Sequence, residues 1–137
     1  MMWTTQPRSR VGSIAAICAG QGPSLTLLHG VGLNADAWGA QIDALSQDFG
    51  VTAFDMAGHG DSADLKKAMP TLSDYVDAVC VNLSAPTVVV GHSMGAMIAL
   101  KLAHNPRRDW PGCIECNLST NANGIRCSAC KGQAVVG

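Results

Sequence analysis

A serine becomes a useful nucleophile only where the chain presents its hydroxyl clear of neighbouring side chains and beside donors that hold the charge developing on the attacked oxygen. The segment Gly91-His92-Ser93-Met94-Gly95 has the G-x-S-x-G spacing that meets the first need. It follows the apolar run Thr87-Val88-Val89-Val90 and precedes a helical pattern starting at Met94, which places Ser93 on a tight strand-to-helix turn. Glycines at 91 and 95 remove side chains that would clash where strand and helix approach. Ser93 is therefore the candidate catalytic nucleophile. The Met94 backbone N–H opens the helix, where unpaired donors and the positive dipole end favour an oxyanion. A second donor is expected from His29-Gly30-Val31-Gly32, at the end of the run Leu25–Leu28, whose glycines let the loop turn the Val31 N–H toward the same point. Gly30, Gly32 and His92 are candidate substrate-side contacts.

The partners that would activate such a serine are harder to find. Histidines stand at 29, 59, 92 and 104, and only His104 follows Ser93. Eleven residues of helix at ~1.5 Å each put His104 about 16 Å from the turn, too far to take the proton. His92 flanks the nucleophile and is expected to point away from the attack line, while His29 and His59 are expected to shape loops through backbone hydrogen bonds. The only acids after Ser93 are Asp109 and Glu115, neither on a recognisable strand-loop continuation. With neither base nor acid assigned, catalysis is expected to be impaired, leaving roughly 10³- to 10⁴-fold over water from oxyanion stabilisation and binding.

Short apolar runs alternating with helical periods up to Arg108 imply strands joined by crossover helices in a mostly parallel sheet. The runs at Leu25–Leu28, Val51–Asp55 and Thr87–Val90 are continuous, as expected for strands covered on both faces. Asn34 can cap a helix in which Trp38, Ile42, Leu45 and Phe49 share one apolar face, ended by Gly50. Thr71 and Asp74 have capping-box spacing before a helix that buries Leu72, Tyr75 or Val76, Val79 and Leu83. A third helix runs from Met94 to about Asn105, before Pro106. Cys18 and Cys80 read as buried apolar residues in a strand and a helix.

In order and spacing, His29-Gly30-Val31-Gly32, Phe54-Asp55-Met56-Ala57-Gly58-His59-Gly60-Asp61-Ser62 and Gly91-His92-Ser93-Met94-Gly95 resemble the alpha/beta-hydrolase superfamily. The wording is similar to that of 3-oxoadipate enol-lactonase-like and related small esterases. The resemblance covers about residues 11–108. It implies an alpha/beta fold and a serine hydrolase of carboxylic esters or lactones working through an acyl-enzyme on Ser93. Met94 and Val31 would be the oxyanion donors, and Asp55–Ser62 a loop beside the site. It implies no cofactor, a small-molecule acyl substrate, and a triad acid other than Asp55, since acid and base follow the serine in this family.

A hydrophobic share of 47% with 14% charged residues belongs to a chain with a core. The net charge of -1 provides no electrostatic footprint for nucleic acid or anionic lipid. No apolar run approaches the ~20 residues that span a bilayer. Arg8 and Arg10 before Val11–Ala19 imitate a signal peptide, but the turn residues Gly20-Gln21-Gly22-Pro23 lead straight into the next run, so an early strand and a cytoplasmic location are expected. The composition shifts after Trp110. Residues 109–137 read as an irregular Cys-rich tail, consistent with a change of reading frame near Arg108, with no strand except one around Ala134–Val136 and an open edge left on the Thr87–Val90 strand. Cys113-x-x-Cys116 and Cys127-x-x-Cys130 are the alternative function, a four-thiolate zinc or interaction module. Their ten-residue spacer is shorter than the usual 15 to 20.

Overall fold

The computed structural model describes residues 7–83, 87–103, 116–118, 125–127 and 132–134. Strands β1 (Ser9–Val11) and β2 (Ile14–Ala19) form a hairpin, and β3 (Ser24–Leu28), β4 (Gly50–Phe54) and β5 (Val88–Gly91) follow the three continuous apolar runs. The sheet order is β1-β2-β4-β3-β5-β6, with β6 at Cys116–Leu118. β4, β3, β5 and β6 are mutually parallel; β1 pairs antiparallel with β2, and β2 antiparallel with β4. The expected early strand is thus split by a turn at Gly12-Ser13, where Gly12 has φ +64°. The Asn82 carboxamide binds the Ser13 backbone N–H at 2.9 Å and tethers this turn to the second crossover helix.

Alternation along the strands divides the core between the two faces. Leu25, Leu27, Val51 and Ala53 face the first crossover, packing with Ile17, Ala35 and Ile42. Leu28, Phe54 and Val89 face the other side, against Val76 and Val79 of α2 (Leu72–Cys80) and Ile98 and Leu102 of α3 (Met94–Ala103). Full burial of side chains this size stabilises by roughly 1.5–3 kcal/mol each. The double cover fixes the C-terminal strand ends, where Leu28 is level with both Phe54 and Gly91.

Helix starts follow the capping chemistry, but one helix is shorter than its apolar period. Asn34 Oδ1 accepts the Asp36 N–H at 2.9 Å and opens a 3-10 turn, Ala35–Trp38, before α1 (Gly39–Leu45). The helix ends at Ser46 rather than Gly50, yet Phe49 still packs on the same cluster as Trp38 and Leu45. Thr71 donates its N–H to Asp74 at 2.6 Å and its hydroxyl at 2.9 Å, as the capping spacing implied. Leu72, Tyr75, Val76, Val79 and Leu83 all contribute to the core on that side.

Two expectations are corrected. The β5 edge is not open, because β6 pairs with it through Val89↔Cys116, Val90↔Asn117 and Gly91↔Leu118. Ladder bonds use only backbone groups, so a three-residue strand needs no readable side-chain pattern. Cys18 is exposed, since cover on its face of β2 stops at Ala16, while Ala19 on the other face still packs beside Ile17; Cys80 is half-buried against the α2–α3 core. A further hairpin joins β7 (Ile125–Cys127) to β8 (Gly132–Ala134), which meets the expected late strand at Ala134; Val135 and Val136 lie outside the described residues. Cys113 and Cys130 lie outside the described residues, as do His104, Asn105, Pro106, Asp109 and Glu115.

Candidate active site

Ser93 stands between the last residues of β5 and the first of α3, and it is the only non-glycine residue among those described with a positive φ, +56°. An L-residue holds that conformation at a cost of roughly 1–2 kcal/mol, so the surrounding packing must enforce it. The two flanking glycines show how. A side chain at Gly91 would run into the Gly95 carbonyl, and one at Gly95 into the carbonyls of Leu28 and His29. The His92 N–H donates to the Leu28 carbonyl at 3.0 Å, extending the β3–β5 pairing to the edge of the turn. Ser93 is left exposed.

The elbow also meets the loop after β3. A Cβ on Gly30 would lie 3.1 Å from Ser93 Cβ and 3.2 Å from His92 Nδ1, so both residues pack against the bare backbone of Gly30. In the first turn of α3, the Gly95, Ala96 and Met97 N–H groups donate to the His92 and Ser93 carbonyls. Met94, the first helical residue, has no carbonyl four residues earlier within the helix to receive its N–H. Val31 is 70% exposed beside Gly30, whereas Gly32 spends its N–H on His59 Nε2 at 3.3 Å. Ser93, Met94, Gly30 and His92 are thus gathered at one corner, with Val31 next to them in the chain.

Both loop histidines act through backbone groups. His29 is buried; its Nε2 accepts the Met56 N–H at 2.9 Å, which leaves Nδ1 as the donor to the Gly30 carbonyl at 2.8 Å. Burial lowers the His29 pKa from its ordinary value and keeps the ring neutral, as that bonding requires. His59 similarly joins the Ala57 carbonyl at 3.0 Å to Gly32, and the two rings lie 5.2 Å apart.

Behind them lies a cluster that the sequence did not announce. Asp55, fully buried at the end of β4, receives the Ala35 N–H at 2.8 Å, the Asp61 N–H at 2.9 Å and Arg8 Nε at 2.8 Å. The same guanidinium grips Asp36 with two bonds of 3.0 and 2.9 Å. Burial alone would raise the Asp55 pKa, but the Arg8 and backbone donors outweigh it and hold the carboxyl below its ordinary range. Ser62 completes the loop, donating to the Asp55 carbonyl at 2.7 Å and accepting the Ala15 N–H at 2.9 Å. The aspartate closing an apolar strand was a readable signal that a buried charge needs a partner. Its partner, 47 residues away, was not.

A strained serine at a strand-to-helix turn, with a glycine loop packed on it, can present a nucleophile beside backbone donors. A profile of the alpha/beta hydrolase family matches residues 27–129. The chain belongs to the alpha/beta hydrolase family. It is 42% identical over 83 residues to (E)-2-((N-methylformamido)methylene)succinate hydrolase of Acinetobacter baylyi, covering 58% of this chain and 31% of that protein. To the pimeloyl-(acyl-carrier protein) methyl ester esterase of Nitrosomonas europaea it is 32% identical over 93 residues, covering 68% of this chain and 36% of the relative. Among solved structures, a hydrolase from Pseudomonas aeruginosa superposes with a TM-score of 0.67 at 28% identity, over 85% of this chain and 43% of that one. An epoxide hydrolase from hot-environment metagenomes shares the fold, with a TM-score of 0.72 at 23% identity, over 84% of this chain and 42% of its own. The chain spans about a third of the length of these curated relatives.

One groove of about 410 Å³ lies elsewhere, lined by Ser13, Leu65, Lys67, Asp77 and Val81 among others. None of its lining residues belongs to the elbow or the loop after β3, so it gives no shape to an acyl site at Ser93. No helix among the described residues is long and apolar enough to cross a membrane.

Proposed function

We propose that this chain carries the nucleophile end of a serine hydrolase acting on carboxylic esters or lactones. Ser93 Oγ attacks the acyl carbon, and the N–H groups of Met94 and Val31 hold the oxyanion. The acyl C–O bond breaks as the serine proton passes through solvent to the alcohol oxygen, which departs from an ester and stays tethered in a lactone. Water then cleaves the acyl-enzyme and returns a proton to Ser93. The observation that carries this reading is Ser93 at φ +56° with Gly30 packed against its Cβ. Strain at one exposed hydroxyl has little structural use, whereas it aims a nucleophile. A methyl ester esterase among the relatives supports an acyl substrate. Gly30, Gly32 and His92 are proposed to border that substrate, in a cytoplasmic setting.

Activity of this chain alone is proposed to be weak. An unassisted serine hydroxyl is a poor nucleophile, and no base or acid is assigned to Ser93. Incubation with p-nitrophenyl acetate should release p-nitrophenolate slowly and add one acetyl group to Ser93, detected by intact mass. Addition of the C-terminal part of a related hydrolase should accelerate the release. Release that persists in Ser93→Ala, or no acylation even after complementation, would overturn the proposal.

A further inference from the structure

We propose that Arg8 is a positioning residue for the oxyanion loop, acting from outside the site through Asp36 and Asp55; this rests on the reading of Ser93 as nucleophile and Val31 as donor. The loop from His29 to Asn34 leaves β3 at a buried, hydrogen-bonded histidine and re-enters regular structure at the 3-10 turn. At that second end Asn34 caps Asp36, Ala35 N–H donates to Asp55, and Asp36 is gripped by Arg8. Arg8 Nε binds the other oxygen of Asp55 at 2.8 Å, so one guanidinium fastens the end of the oxyanion loop to the end of β4.

The chemistry of this clamp is specific to arginine. Two carboxylates with side chains 10% and 0% exposed face one cation that is 9% exposed. A guanidinium is a flat fork of five donors that can serve both at once, while an ammonium on a flexible stem serves them as a point charge. Without the fork the carboxylates repel, and the strain falls on the turn carrying Asp36, because Asp55 is fixed to the sheet by its own N–H, donated to the Ala15 carbonyl at 2.9 Å, and also receives the Asp61 N–H. Motion there passes along the short loop to Val31, whose own side chain is largely exposed and does not anchor it. Ser93 and Met94 are buttressed separately, by Gly91, Gly95 and β3. Loss of Arg8 therefore moves one oxyanion donor and not the nucleophile.

The test uses this chain with Arg8→Lys, Arg8→Met and Asp36→Asn, each treated with an alkyl p-nitrophenyl phosphonate. Ser93 Oγ bonds to phosphorus, p-nitrophenolate leaves, and the hydroxyl proton passes to solvent. Burst amplitude reports the folded fraction; burst rate reports alignment of the donors. Arg8→Lys should keep the amplitude and slow the rate about tenfold, since small misplacements at a reacting centre cost that much or more. Amide exchange should rise about tenfold in residues 30–36 and 57–62 and stay at the parent level in β3 and α3. Asp36→Asn should fall between parent and Arg8→Lys, which remains decisive if Arg8→Met does not fold. A parent-like rate and exchange in Arg8→Lys, or a uniform rise in exchange with loss of amplitude, overturns the clamp. A parent burst that is absent, or survives in Ser93→Ala, overturns the nucleophile reading instead, and the exchange pattern alone then decides whether Arg8 holds the loop.

Discussion

The Ser93 elbow and the Asp55 loop stand at the same end of the sheet, after parallel strands whose ends are level through Leu28, yet they are built from different materials. At the elbow the fit is made by absent side chains, two glycines whose Cβ positions are occupied by carbonyl groups. Around Asp55 one glycine, Gly60, leaves room for the carboxylate, but most of the fit is made by side chains that are present: Arg8, Asp36, Ser62 and His59. The contrast has a physical reason. A reactive hydroxyl needs open space and an inflexible backbone, whereas a supporting loop can be cemented by charges as long as each is paired.

The severest way to break the first construction is Gly95→Val. The new side chain would overlap the carbonyls of Leu28 and His29, with no flexible atom to give way. A loss above about 4 kcal/mol is expected, with disappearance of the cooperative transition in urea. The corresponding blow to the second is Asp55→Ala, which takes one buried carboxylate from Arg8 and orphans the Ala35 and Asp61 N–H groups. Removing one partner of a buried ion pair costs roughly 3–5 kcal/mol. An Asp55→Ala protein as stable as the parent would show that the hub is not a structural support.

Ser93→Gly sharpens the contrast in the opposite direction. Relief of the positive φ should stabilise the chain by about 1 kcal/mol, raising the urea midpoint, while acylation by p-nitrophenyl acetate disappears. Stability gained by deleting the proposed nucleophile would show that strain is stored at the elbow. No corresponding gain is expected anywhere in the Asp55 cluster, where every substitution leaves a partner uncovered.

This difference in materials also explains what the sequence could reveal. The elbow was legible because backbone constraints leave glycines at fixed offsets from the serine, and the continuous runs at Leu25–Leu28 and Thr87–Val90 disclosed parallel strands. Local chemistry likewise announced Thr71 with Asp74. Arg8 was invisible as a partner because its contacts to Asp36 and Asp55 span 28 and 47 residues, and beside Arg10 it looked like part of a basic terminus. The Asn82 tether to Ser13 hides in the same way, across 69 residues. β6 was missed because a ladder of three residues leaves no periodicity to read.

The smallest expected effect separates two buried groups within the supporting side by pH. His29 is kept neutral, its pKa lowered mainly by burial from an ordinary 6.5, while Asp55 is kept charged, its pKa held below 3.8 because Arg8 and backbone donors outweigh burial. In both, the unfolded chain takes up a proton before the folded one does, so stability is lost as pH falls. His29 contributes fully above about pH 6.5 and less as pH drops below it; the Asp55 contribution stays intact there and declines only below about pH 4. Urea midpoints measured between pH 8 and 3 should therefore fall in two stages, with a slope of at most about 1.4 kcal/mol per pH unit for each proton. His29→Gln should flatten its part of the upper stage and leave the lower one. If the upper stage is unchanged in that variant, the buried ring is not its source, and the hydrogen bond from Met56 holds the loop without help from the ring's neutrality.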